Sequence, residues 1–179
     1  MGTNNAQKPN RMSGNLRKWV AIIIAAVMYY LIHEGSHLIV ALKYGVFEKI
    51  RFMGLGVQIV TNIEALSDIQ KAIFCVAGSI STLMMAWILV LLTKKFLKSR
   101  NNSFKAGCYY VTIAMLFTDP IYLSILYKFF GGGDMNGILL FGISEVIIQA
   151  IYGVIGAANA VIFAKYVYPN YKAGFCDNP

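Results

Sequence analysis

Charge is scarce in this chain. Only 13% of its residues are Asp, Glu, Lys or Arg, against about 25% in ordinary globular domains. Hydrophobic residues make up 58% and the mean hydropathy is +0.59. The deficit argues against a conventional water-soluble domain and for lipid as solvent. Cysteine is limited to Cys75, Cys108 and Cys176, an odd number with no C-x-x-C pair, which argues against a disulfide framework. Cys75 reads as a small apolar side chain in a span. No small-residue cleavage site follows the first apolar stretch, so a removable signal peptide is not expected. Ala6 stands where a myristoylation signal needs Ser or Thr. Repeats and low-complexity tracts are absent as well.

The net charge of +8 could suggest nucleic acid, but its placement argues otherwise. Lys8, Arg11, Arg17 and Lys18 precede the first apolar run, and Lys94, Lys95, Lys98, Arg100 and Lys105 fall between the second and third. Basic clusters beside apolar runs act as topology signals and as contacts to anionic membrane lipid. No nucleic-acid partner is expected.

Four apolar runs are long enough to cross a bilayer: Trp19 to Leu42, Ala72 to Thr93, Ala106 to Tyr127, and Ser144 to Val167. Ser144 is the expected N-cap of the last, and Gly153, Gly156, Ala157 and Ala160 offer it a small face for close helix packing. Trp19, Tyr109, Tyr110, Tyr127, Tyr166 and Tyr168 sit near run ends, where amphipathic rings prefer the membrane interface. Between the first two runs, Ile50 and Phe52, then Leu55, Val57 and Ile59, alternate around Gly54 and Gly56, which predicts one or two short strands. The expected fold is an all-α polytopic membrane protein of about four transmembrane helices, with a short membrane-associated β segment around residues 48–62. A polar tail covers residues 1–18, a single integral-membrane domain residues 19–168, and a second polar tail residues 169–179. The expected location is a multi-pass position in the cell membrane.

Both histidines of the chain lie in one pentapeptide, His33-Glu34-Gly35-Ser36-His37, inside the first run. Scattered at random, two histidines and four glutamates would form H-E-x-x-H roughly once in several thousand shuffles. On a helix, residues four apart share a face, so both imidazoles can reach one metal ion. Zinc suits two histidines plus a carboxylate with one open position. Glu34 sits about 100° around the helix from His33, placed to take a proton from water activated by the metal. The competing reading is a chance polar pair lining a helix contact. Each ionisable group at mid-span costs about 2.5–3.5 kcal/mol on insertion scales, so three within five residues call for a compensating metal.

A third ligand must come from elsewhere. Of the four aspartates, Asp177 lies in the polar tail and Asp68 reads as a solvated helix start. Asp134 is flanked by glycines that let backbone approach a site closely, although turn aspartates are common. Asp119 lies mid-span beside Pro120, which frees a backbone carbonyl, and can also be read as a polar plug. Runs one and three cross in the same direction, so the motif and Asp134 fall towards one face. Asp134 is therefore the expected ligand, with Asp119 the alternative ligand or accessory.

With these residues the chain resembles the site-2 protease family of intramembrane zinc metalloproteases. The zinc motif at His33–His37 is intact. Ala77-Gly78-Ser79, with Thr82 at the asparagine place, partly matches the family's A-G-P-x-x-N segment. Asp119-Pro120 and Gly133-Asp134-Met135-Asn136-Gly137 loosely match its third. Ser79 stands where the family has proline, and Asp134 is not followed directly by glycine. The resemblance spans roughly residues 19–137. It implies a Zn2+-dependent endopeptidase that cleaves transmembrane protein substrates, with Glu34 as the catalytic base and the strands near residues 50–60 pairing with an unwound substrate segment. It also implies a zinc site towards the cytosol, whereas the basic clusters place the N-terminus inside and the motif outside; Lys43, Lys49, Arg51 and Lys71 give the other side positive charge too, and the orientation the resemblance implies is slightly preferred. A non-catalytic metal carrier or scaffold for transmembrane partners is the alternative function, and a soluble-type zinc hydrolase anchored by helices is a third. Transporters usually show polar positions in several spans, and the single dense cluster here favours the enzyme.

Overall fold

The computed structural model describes residues 13–54, 56–130 and 133–176. Of the features above, Ala6, Lys8, Arg11, Leu55 and Asp177 lie outside these residues. The chain is a helical bundle with one small hairpin. Helix α1 (Gly14–Lys43) leads into strands β1 (Phe47–Met53) and β2 (Gly56–Thr61), paired antiparallel with Ile50 opposite Ile59. Helix α2 (Asp68–Leu97) and helix α3 (Asn102–Ile121) follow, and α3 continues through a π-turn and a 3-10 turn to Phe129. A short α4 (Gly133–Ile138) precedes α5 (Glu145–Ile162), which runs through a second π-turn into α6 (Tyr168–Cys176). Four helical stretches are long and apolar enough to cross a membrane: Gly14–Lys43, Asp68–Leu97, Asn102–Phe129 and Glu145–Cys176. They carry the four expected spans, and the hairpin occupies the expected β segment.

Local sequence sets the helix ends. Ser13 Oγ accepts the Leu16 N–H at 3.3 Å, so α1 begins inside the segment expected as a tail. Ser67 and Gln70 form a reciprocal capping box at the start of α2. Ser144 occupies the N-cap position of α5, but through its carbonyl, which accepts from Ile147 and Ile148; its hydroxyl makes no capping bond. Large apolar side chains point outward, Trp19 67% and Leu91 76% exposed among them, as lipid-facing surfaces require.

Two expectations need correction. The segment read as a polar tail is helical to Cys176, because Tyr171 is buried and Lys105 Nζ donates to the Gly174 carbonyl at 2.6 Å. The packing face of α5 is also different. Gly153 and Gly156 turn towards Ser124 and Pro120 of the third span, but Ala157 and Ala160 are exposed. Ile148, Tyr152 and Asn159 are the buried residues of α5, and the hydrogen bonds of its two polar anchors choose the face. Tyr152 bonds Ser79 of α2 at 2.6 Å.

Asn159 answers a defect in α3. Pro120 inside that helix has no N–H, which leaves the Leu116 carbonyl four residues earlier without its helical partner. Asn159 Nδ2 donates to that carbonyl at 2.7 Å. Asn159→Ala is expected to lower stability by about 1–3 kcal/mol, read by unfolding in detergent. The loss should shrink in a Pro120→Ala background, where residue 120 regains an N–H for Leu116. Equal losses in both backgrounds would remove this account.

Candidate metal centre

His33 and His37 lie one turn apart on the face of α1 turned into the bundle, and both are buried. The 3.6-residue repeat puts their rings side by side, with centroids 4.9 Å apart. Across from them α4 presents Asp134. Its Oδ2 lies 3.1 Å from His33 Nε2 and its Oδ1 3.6 Å from His37 Nε2. One ligand atom from each of the three residues falls within 4.8 Å of the others.

Two glycines make that approach possible. A Cβ at Gly78 on α2 would lie 2.6 Å from His33 Nε2 and 2.7 Å from His37 Nε2, so α2 backs directly onto the metal-facing nitrogens and only glycine leaves them room. A Cβ at Gly137 would collide with Cys75 Sγ. That glycine lets α4 lie against α2, with Asp134 one turn away and aimed at the histidines.

The other ring nitrogens are already engaged. His37 Nδ1 donates to the Phe74 carbonyl at 2.7 Å. His33 Nδ1 lies 3.3 Å from both the Tyr29 hydroxyl and Asp119 Oδ1. Asp119, fully buried on α3, in turn accepts from Tyr29 at 2.7 Å and from the Thr82 hydroxyl. With Nδ1 protonated, each imidazole turns a bare Nε2 lone pair towards the Asp134 carboxylate. Three acceptors facing one another in a buried site repel unless a cation lies between them, so the donor set fits a metal ion. Imidazoles oriented through Nδ1 by a carboxylate or a carbonyl are the common support of metal-binding histidines.

The structure thus separates the two aspartates left open by the sequence. Asp134 faces the Nε2 side, and Asp119 the Nδ1 side of His33. Tyr29, not singled out in the sequence, is part of the same support. Its spacing, one turn before His33 and two before His37, was the signal that could have found it.

Glu34 is half-buried and lines the same cavity, about 630 Å³, that holds His33, His37 and Asp134. Its Oε2 accepts the Ile59 N–H at 3.2 Å. That N–H points away from β1, so β2 turns its outer edge to the site. Most of the cavity wall is apolar, from Tyr29, Tyr30, Phe74, Phe117, Ile121 and Phe130. No protein-family model, curated protein or solved structure matches the chain.

Asp134→Ala is expected to abolish stoichiometric zinc retention by the purified protein. Asp119→Ala should leave the stoichiometry and weaken affinity about 10–100-fold, read by competition with a chromogenic chelator. The reverse order would make Asp119 the ligand.

Proposed function

We propose that this chain is a zinc-dependent intramembrane endopeptidase of the site-2 protease type, multi-pass in the cell membrane, acting on transmembrane protein substrates. The observation that carries this reading is the meeting of His33, His37 and Asp134 around one point, beside Glu34 and an open strand edge. His33, His37 and Asp134 would hold the ion. Zinc, when bound there, supplies Lewis acidity towards a carbonyl and towards water.

The remaining chemistry belongs to the chain. A helical substrate keeps its carbonyls in internal hydrogen bonds and must unwind before attack. The outer edge of β2 offers backbone groups with which an extended segment can pair. Glu34, held by the Ile59 N–H at that edge, stands where it can take a proton from the attacking water. The water oxygen bonds to the carbonyl carbon, the C–N bond breaks, and Glu34 passes the proton to the departing amine.

Cleavage of a single-span substrate by purified protein in proteoliposomes tests this. Glu34→Gln is expected to lower the rate at least 100-fold, within the usual span for general-base removal, and to leave bound zinc at one per chain. Unchanged cleavage would sink the assigned mechanism. Zinc flux across the vesicle membrane, lost in His33→Ala, would favour a metal carrier instead.

The distribution of cations supports an orientation. Arg17, Lys18, Lys94, Lys95, Lys98, Arg100, Lys105, Lys165 and Lys172 belong to the end where α1 begins, against Lys43, Lys49, Arg51, Lys71 and Lys128 in the half holding the hairpin and metal centre, where every described carboxylate also lies. Cations collect on the cytoplasmic side, so the cationic end faces the cytosol and the metal centre lies towards the opposite face, contrary to the orientation the resemblance implies. Cys176, exposed at the cationic end, reports on it. A membrane-impermeant maleimide should label it only after cells are permeabilised, with Cys176→Ser as the control. Labelling of intact cells would reverse the orientation.

A further inference from the structure

A second cavity, about 370 Å³, lies at the cationic end, away from the metal centre. Arg17 and Lys18 of α1 and Lys172 of α6 stand around it, and Tyr109, Tyr110 and Tyr168 supply aromatic wall. Among the described residues no carboxylate lines it and none of the three cations is in an ion pair. Lys105 lies beside it, fully buried. Its ammonium donates to the Gly174 carbonyl and sits 5.5 Å from the centroid of Phe175, a wall residue of the cavity. Helices α1 and α3 both begin at this end, with no acidic residue in either first turn. Their positive dipole ends are offset by the negative ends of α2 and α6, which finish at the same end, so the side-chain cations carry the attraction for an anion, and no described residue supplies one.

The cavity does not end at the charges. A third hollow, about 350 Å³, continues it along the seam between α1 and α3. It shares Tyr110 with the cationic cavity and Tyr29, Tyr30, Ile113, Ala114 and Thr118 with the metal cavity. Its walls are apolar and shallow, built from Ile22, Ala25, Ala26, Ile113 and Ala114. From Lys18 to Tyr29 the helix rises about 16 Å at 1.5 Å per residue, close to the half-thickness of a hydrocarbon core about 30 Å across. The furrow is one leaflet deep, with a cationic, aromatic mouth at headgroup level. Trp19, exposed beside Lys18, marks that level.

We propose that one anionic phospholipid occupies this end of the bundle, its phosphate held by Arg17, Lys18 and Lys172 and one acyl chain laid in the α1–α3 furrow. A soluble anion would use the cations and leave the furrow bare. The lipid matches both the charge and the length, and it fills the seam up to Tyr29, whose hydroxyl supports His33.

Native mass spectrometry of the full chain in detergent tests this without reference to catalysis. Titration with phosphatidylglycerol and phosphatidylcholine should show one retained phosphatidylglycerol, preferred at least tenfold. The triple variant R17Q/K18Q/K172Q should lose that preference. The variant K94Q/K95Q/K98Q, which removes the same charge from the same end outside the cavity, should keep it. Equal losses in the two variants would reduce the site to diffuse attraction and overturn the proposal. Ala114→Phe, checked for unchanged helicity, should weaken retention with the cations intact; unchanged retention would remove the furrow from the site. Displacement by inorganic phosphate or glycerophosphoglycerol at lipid-like concentrations would assign the pocket to soluble phosphate. One-for-one displacement by a single-span peptide with an acidic flank would assign it to a peptide.

Discussion

Each imidazole of the histidine pair is tied through Nδ1 to a different helix, and the bundle is organised around those two ties. His37 reaches the Phe74 carbonyl on α2, and His33 reaches Asp119 on α3. Neither bond is optional at this depth. An unpaired imidazole N–H or carboxylate in an apolar interior costs several kcal/mol. Satisfying both therefore fixes how α2 and α3 stand against α1. Gly78 then removes the last obstacle to close contact. The same bonds that satisfy the histidines turn their Nε2 atoms to one side, so packing and metal-ready geometry follow from one requirement.

Irregular backbone at membrane depth is tolerated only where its freed groups find partners, and the third span shows how that permits Asp134 to arrive. Pro120 breaks the ladder, Asn159 takes the Leu116 carbonyl, and Ser124 Oγ donates to the Pro120 carbonyl. The span then loosens through a π-turn and a 3-10 turn to Phe129 before the chain turns back as α4. A regular helix in that position would carry the chain onward, away from the histidines. The proline beside Asp119 and the glycines around Asp134 thus belong to one device. Asp119 is fixed in the span as support, and the chain beyond it is released to bring a second carboxylate to the opposite side of His33.

Much of the fold was legible because its signals are local. Four apolar runs and a period-2 stretch need only the residues in hand, and His33 and His37 announce a shared face by their spacing. What was not legible depends on distant partners. Asp119 and Asp134 were both reasonable ligands until α4 was seen lying on α2 through Gly137 and Cys75. The buried face of α5 was misjudged because small residues suggested close packing, whereas the hydrogen bonds of Tyr152 and Asn159 decided it. Residues 169–176 looked like a tail because their composition is polar; Tyr171, the carbonyl of Gly174 and a lysine sixty-nine residues earlier hold them in place.

The bundle is also polar along its length. Carboxylates occupy the half holding the hairpin, where Lys71 pairs with Glu64 and Asp68, and Lys128 with Glu145. The other half is cationic without described acids. From His33 to the hairpin end of α1 is about 15 Å along the axis. A divalent cation approaching the centre from the hairpin end meets carboxylates and a strand edge on the way. From the other end it would meet a field of its own sign focused between low-dielectric walls. The segregation that would favour an anion at the cationic end would also give a cation bound for His33, His37 and Asp134 a preferred direction of approach.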